Sequence, residues 1–142
     1  MTNEQVVRDF ISGMDQPISQ VREHLQKYLT DDCLWGNSGF PPARGIEDIV
    51  QKHELSEKVF GDYRLKVELL NVASNGNVVF TERVDRGVQA DGTPILSVDV
   101  TGVFEVRDGK ICRWTDYFDP RGLLERLAVL PDIESFFTGQ TN

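Results

Sequence analysis

The 142-residue chain carries 23 acidic and 15 basic side chains, and its formal net charge of −8 argues against a phosphate-binding surface, which needs clustered Lys and Arg. With 39% hydrophobic and 27% charged residues it has the composition of a soluble globular protein, long enough to bury a substantial core as one domain over residues 1–142. No run reaches the ~18 apolar residues of a membrane span, and the N-terminus lacks the basic and apolar blocks of a secretory signal, so a cytoplasmic location is expected.

In chain order, Val6, Val7, Phe10, Ile11 and Met14 recur at helical spacing until "GMDQP" breaks the pattern. Ile18, Val21, Leu25 and Tyr28 form a second helical stripe. After "TDD", Cys33-Leu34-Trp35 reads as a short strand, and "GNSGFPPARG" as a Gly- and Pro-rich loop. Residues 46–60 read as a third helix, with Ile46, Ile49, Val50 and His53 along one side. From Tyr63 the period changes to two: Tyr63, Leu65, Val67 and Leu69 alternate, and Asn75-Gly76 turns the chain into a strand over residues 77–88. "ADGT" turns it again into a long strand over 94–106, and "RDG" leads into a last strand over 110–118. Asp119 as N-cap and Pro120 at the first helical position open a C-terminal helix through Leu123, Leu124 and Leu127. The residues from about 130 onward, after Pro131, read as a loosely attached tail. Helices followed by antiparallel strands imply an α+β fold with the helices packed on one side of a curved sheet.

Cys33 and Cys112 both lie in apolar strand-like runs and read as buried reduced thiols. His24 and His53 have no Cys, His or carboxylate at ligand spacing, which argues against zinc and against a His-based triad. His53 reads as a surface or core residue of a helix near the mouth of the fold.

The segment Thr81-Glu82-Arg83-Val84-Asp85 stands out. Strand alternation places Val79, Thr81, Arg83 and Asp85 on one face and Val78, Phe80, Glu82 and Val84 on the other. If "ADGT" is a four-residue loop, Gln89 pairs with Pro94, Arg83 with Val100 and Asp85 with Val98. If "RDG" is a three-residue loop, Val106 pairs with Lys110 and Val100 lies opposite Asp116. Arg83, Val100 and Asp116 then share one row, with Val98, Cys112, Trp114 and Phe118 on the same inward face. Across two strand spacings, about 10 Å, a guanidinium reaches both carboxylates. Such a cluster either fixes strand register or forms an acid/base pair in which one carboxyl donates while the other accepts. Spacing alone does not say which carboxyl does which. Val98, Val100, Trp114, Phe118 and Leu123 would line an apolar pocket for a cyclic or terpene-like ligand, or serve as plain core.

"TERVD", "GVFEVRDGKICRWTDYFD" and "WGNSGFPPARG" together resemble the limonene-1,2-epoxide hydrolase family, a branch of the fold shared with nuclear transport factor, polyketide cyclases and ketosteroid isomerase. The resemblance runs from about Glu4 to Leu127. It implies a cone-shaped α+β barrel with a curved, mixed or antiparallel sheet, the N-terminal helices on its concave side and the pocket inside the cone. It also implies one-step hydrolysis of a hydrophobic epoxide to a vicinal diol, with no cofactor, no metal and no covalent intermediate. In that scheme Asp85 is the general acid, Asp116 the general base, Arg83 the bridge between them, and Asn37 a holder of the attacking water. This chain departs from the family pattern at Trp35, where a water-orienting tyrosine is expected; the indole N–H donates but cannot accept. The family fold also implies a homodimer through the outward sheet face bearing Phe80, Val84 and Thr101. A ketosteroid-isomerase-like enzyme, or a non-catalytic binder of a hydrophobic molecule, is the alternative reading of the same residues.

Overall fold

Two periodicities separate the layers of the molecule: most helical spacing lies before residue 61 and most alternating spacing after it, with two strands in the first part and a helix in the second. The computed structural model describes residues 1–128, and the expected C-terminal tail lies outside them. Helix α1 (Asn3–Ser12) starts at Thr2, whose hydroxyl accepts a hydrogen bond from the Gln5 backbone N–H, and it buries Val6, Val7, Phe10 and Ile11. The second helical stripe divides into a 3-10 turn (Ile18–Gln20) and α2 (Arg22–Tyr28), with Ile18, Val21 and Leu25 buried. Helix α3 (Ile46–Phe60) follows the first two strands and α4 (Arg121–Leu127) the last. Pro120, not Asp119, is the N-cap of α4, which begins at Arg121; Asp119 lies just outside the helix and accepts from the Arg121 backbone N–H.

Six strands form one sheet: β1 (Leu29–Asn37), β2 (Phe40–Arg44), β3 (Tyr63–Asn75), β4 (Val78–Gln89), β5 (Pro94–Arg107) and β6 (Lys110–Tyr117), in the order β2-β1-β6-β5-β4-β3. The sheet is mixed, because β1 runs parallel to β6 while every other pair is antiparallel. It curves around the helices but does not close into a barrel, since β2 and β3 are its two edges. The helices cover the concave side, where Phe10, Ile11, Leu25 and Ile49 join Leu29, Val79, Phe104, Ile111 and Trp114 in the core.

Three local expectations change. The Gly/Pro-rich loop contains β2, which tolerates Pro41 and Pro42 because an edge strand leaves one row of N–H groups unpaired. The short strand at Cys33 extends back to Leu29. The β5–β6 hairpin is closed by two residues, Asp108 (φ 52°) and Gly109 (φ 79°), both in the left-handed region that a tight primed turn requires. That moves the β5–β6 register by one residue, and a bulge at Cys112 moves it by one more: Glu105 pairs with Arg113, but Val106 with Ile111. The bulge also turns Ile111 into the core and leaves Cys112 half-buried, against the expected inward Cys112. Asp116 therefore lies opposite Gly102, not Val100. The total shift is two residues, so every side chain beyond the bulge keeps its expected face while its neighbour changes.

Candidate active site

The β4–β5 register is the expected one around the charged segment: Arg83 pairs with Val100 and Asp85 with Val98. Alternation along β4 then aims Thr81, Arg83 and Asp85 inward. Arg83 is 3% exposed, and each of its three side-chain nitrogens has a partner. Its Nε and Nη2 donate to Asp85 Oδ1 and Oδ2 at 3.0 and 2.9 Å, a bidentate fork, and Nη1 donates to Thr81 Oγ1 at 3.0 Å. Nη2 also lies 3.0 Å from Asp116 Oδ1. That contact is an ion pair, not an aligned hydrogen bond, and Oδ1 is otherwise buried without a partner. Asp116 Oδ2 accepts from the Trp114 indole N–H at 3.1 Å. The Phe104 ring lies beneath the guanidinium, 5.8 Å from its carbon.

Electrostatics separate the three groups. Burial disfavours the Arg83 charge, but Asp116 and Asp85 more than offset this and raise its affinity for the proton. Burial pushes the Asp116 carboxyl up to about 6; Arg83 opposes the shift and the Asp85 charge adds to it. Asp116 is thus largely ionised at neutral pH, yet holds a proton far more readily than an exposed carboxylate.

Gly102 makes the cluster possible. A Cβ there would come within 2.3 Å of Arg83 Nη1, 2.8 Å of Thr81 Oγ1 and 2.9 Å of Asp116 Oδ1, so the guanidinium passes over this residue because it has no side chain. Gly102 did not stand out in the sequence, and Thr81 did so only as a same-face neighbour of Arg83. The expected β4–β5 register already set Thr81 opposite Gly102; that Asp116 also meets Gly102 depended on the β5–β6 bulge, which leaves no local trace.

The parallel β1–β6 pairing brings in the remaining groups. Asn37 pairs with Asp116 and Trp35 with Trp114, so each couple sits side by side on the inner face. Ser38 fastens this corner: its N–H donates to the Asp116 carbonyl at 3.1 Å, and its hydroxyl accepts from the Phe118 N–H at 3.2 Å. The Trp35 and Trp114 rings stack at 4.8 Å, the spacing of neighbouring strands. Beyond them His53 of α3 stacks on Trp35 at 4.7 Å, and Phe10 meets Trp114 edge-on at 4.9 Å. The Trp35 indole N–H is buried with no acceptor.

Trp35, Asn37, Asp85 and Asp116 all line one cavity of about 200 Å³, and Arg83 lies behind its floor. Every expected wall residue, Val98, Val100, Trp114, Phe118 and Leu123, borders this space. The sequence reading missed the opposite wall, where α3 and β3 contribute Lys52, His53, Ser56, Phe60 and Tyr63. Among the described residues no group of three His, Cys, Asp or Glu side chains is placed to hold a metal. Nor is any described helix long and apolar enough to cross a membrane.

An open, curved mixed sheet wrapped around N-terminal helices, with a polar cluster at the floor of an apolar cavity, places the chain in the nuclear-transport-factor-like fold class. Solved structures of that class superpose on it. They include an NTF2-like protein from Cytophaga hutchinsonii (TM-score 0.67, 18% identity, 87% of this chain and 96% of that one) and a SnoaL-like polyketide cyclase from Jannaschia sp. (TM-score 0.69, 17% identity, 91% and 93%). A limonene-1,2-epoxide-hydrolase-like epoxide hydrolase from Mycobacterium tuberculosis matches at TM-score 0.64 and 26% identity, over 97% of this chain and 96% of that one. In sequence, the chain is 35% identical over 106 residues to the epoxide hydrolase EphG of M. tuberculosis, covering 72% of this chain and 68% of the relative. Residues 1–128 match the model of the limonene-1,2-epoxide hydrolase catalytic domain, and the chain belongs to that family.

Proposed function

We propose that the protein is a cofactor-independent epoxide hydrolase that adds water to a small hydrophobic epoxide in one acid/base step. The observation that carries this reading is the pair of carboxylates held on one buried guanidinium at the floor of an apolar cavity. Asn37 supports the division of labour: it stands beside Asp116, so the group suited to holding water adjoins the proposed base. Asp116, with its carboxyl pushed up to about 6, is ionised at neutral pH but basic enough to take a proton from water.

In this scheme a water donates one hydrogen to Asp116 and the other to the Asn37 side-chain oxygen, and accepts from the Trp35 N–H. Its remaining lone pair attacks an epoxide carbon. The two carboxyls share one proton, which lies on Asp85 when the epoxide is bound; as the C–O bond breaks it passes to the leaving oxygen, and Asp116 receives one from the water. The product is a vicinal diol, and the charge of the Asp85–Arg83–Asp116 cluster is unchanged. Arg83 keeps the carboxylates in place and balances whichever is ionised. The 142 residues act as one domain in this reading, and a second copy packs on the outward face bearing Phe80, Val84 and Thr101, where Phe80 is 40% exposed.

A single turnover in ¹⁸O-water, with enzyme in excess over a cyclic epoxide, tests the mechanism. One-step hydrolysis labels the diol in the first turnover. Label appearing first in an aspartate would reveal an ester intermediate and overturn the scheme. Absence of diol from any epoxide, with tight binding of hydrophobic ligands, would favour the ligand-binding or isomerase alternative.

A further inference from the structure

The part of the cavity lined by α3 and β3 holds polar groups that the proposed hydrolysis does not use. His53 is 4% exposed and Ser56 8% exposed, both on α3, and Tyr63 faces them from the start of β3. The hydrogen bonds among them fix which atom donates. The Ile49 carbonyl can only accept, so His53 Nδ1, 2.8 Å away, must carry the ring hydrogen, and Nε2 is left as a bare acceptor. Ser56 Oγ donates to the His53 carbonyl at 2.8 Å, so the Tyr63 hydroxyl, 2.9 Å from it, spends its hydrogen on Ser56 and keeps only lone pairs. Burial drives His53 down to about 4 and keeps the ring neutral at working pH. Among the described residues nothing pairs with Nε2, although the ring borders the cavity and its orientation is set by stacking on Trp35. An acceptor that borders the cavity and has no protein donor can take a hydrogen bond from whatever fills the space; a ligand hydroxyl keeps it satisfied, whereas an apolar group in the same place would strip it of its partner.

We propose that His53 Nε2, assisted by Tyr63 Oη, is a specificity subsite that accepts a hydrogen bond from a hydroxyl on the substrate. It rests on the hydrolase reading for its choice of substrate: an epoxy alcohol, with the oxirane toward Asp85 and Asp116 and the hydroxyl toward α3. Because both wall atoms accept, an ether or ketone in the same place gains nothing. A carboxylate would be drawn to Lys52, the cationic group on this wall, instead of His53.

The test separates recognition from turnover. Both tryptophans of the chain, Trp35 and Trp114, line the cavity, so their fluorescence reports occupancy without chemistry. A cyclic alcohol, its methyl ether and the matching carboxylic acid are titrated into wild type, His53→Phe and Lys52→Met. Phenylalanine preserves a stacking ring, and the Ile49 carbonyl keeps its intrahelical partner. The alcohol is expected to bind wild type about tenfold more tightly than the ether, the value of one buried hydrogen bond. In His53→Phe that ratio should fall to near one while the ether affinity changes less than about twofold. The same ratio should appear in kcat/KM for an epoxy alcohol against its methyl ether. A wild-type ratio near one overturns the proposal, a result that does not depend on the variant folding. So does equal weakening of alcohol and ether in His53→Phe, which would make the ring a mere support for Trp35. Preference for the acid, lost in Lys52→Met, also overturns it. An alcohol preference in binding with no epoxide turned over would sustain the subsite and refute the hydrolase reading instead.

Discussion

Replacing Gly102 by alanine adds one methyl group at the point where Arg83, Thr81 and Asp116 converge. The backbone there is ordinary extended strand, so the change introduces no dihedral strain, and the whole effect is steric. At 2.3 Å from Nη1 the methyl cannot coexist with the present guanidinium position. Arg83 has little freedom to yield, because Asp85 grips it on one edge, Thr81 holds Nη1 and Phe104 lies beneath. The contact most easily lost is the unaligned one to Asp116 Oδ1. Removing a partner from a buried ion pair costs about 3–5 kcal/mol, and overpacking alone about 1–3, so a displaced but present arginine points to roughly 3 kcal/mol. In a chain of this size that lowers Tm by about 10 °C. Arg83 is also the group that pulls the Asp116 carboxyl down, so its retreat should raise that group further above about 6. The acid limb of kcat/KM for an epoxide should move to higher pH with it. Differential scanning calorimetry and a pH–rate profile measure the two effects, and in an Asp116→Asn background the stability loss should shrink because no charge is left stranded. A Gly102→Ala protein with wild-type Tm and an unmoved acid limb would refute the account of the cluster.

Asp116→Asn should abolish diol formation by at least about 10²-fold, the usual worth of a positioned acid or base, yet stabilise the fold. The folded carboxyl sits near 6, above its unfolded value of 3.8; the folded state therefore binds more protons between those limits, and stability falls as pH rises through them. At pH 7 the ionised group costs up to about 3 kcal/mol, so the variant should melt several degrees higher; a lower Tm would contradict this. His53 acts in the opposite sense. Folded near 4 but free near 6.5, it gives stability that is complete above 6.5 and lost as pH falls toward 4, about 3 kcal/mol in all. Denaturant titrations of Asp116→Asn with and without His53→Phe, at pH 7 and pH 4.5, should isolate that slope; equal slopes would count against it. Trp35→Phe keeps a ring between His53 and Trp114 but removes the buried N–H, so kcat for an epoxide should fall roughly tenfold with KM little changed, one hydrogen bond's worth. An unchanged kcat would remove Trp35 from the water site.

The inward face of β4 was legible from alternation alone, because a period of two is a local property of an extended chain. Arg83 and Asp85 follow from it directly, while their partners depend on the Asn75-Gly76 and "ADGT" turns together with one register shift in each pairing: Pro94 lies opposite Val88, not Gln89, yet Arg83 still meets Val100. The same alternation turns Val98, Val100, Trp114 and Phe118 inward, as pocket wall or plain core; these four and Leu123 of the C-terminal helix all border the cavity. The face of Asp116 was also legible, but its neighbour was not: a two-residue turn and a bulge at Cys112 together moved it two positions, and only a one-residue slip would have changed its side. The edge strand β2 was hidden by its prolines, which mark loops more often than strands.

The sequence by itself determined the helical segments, the four strands after residue 60, the charged triplet and the apolar wall, since each depends on spacing within a few residues. Tertiary structure decided what those spacings cannot express. Parallel pairing of β1 with β6, strands about half the chain apart, set Asn37 beside Asp116 and stacked Trp35 on Trp114. Packing of α3 against that stack buried His53 neutral at the cavity wall, where its helical stripe had suggested only a surface or core residue. Gly102 acquired its meaning only from the three side chains that meet above it. Contacts between distant segments depend on the exact register and curvature of the sheet, and those are set by the whole chain at once.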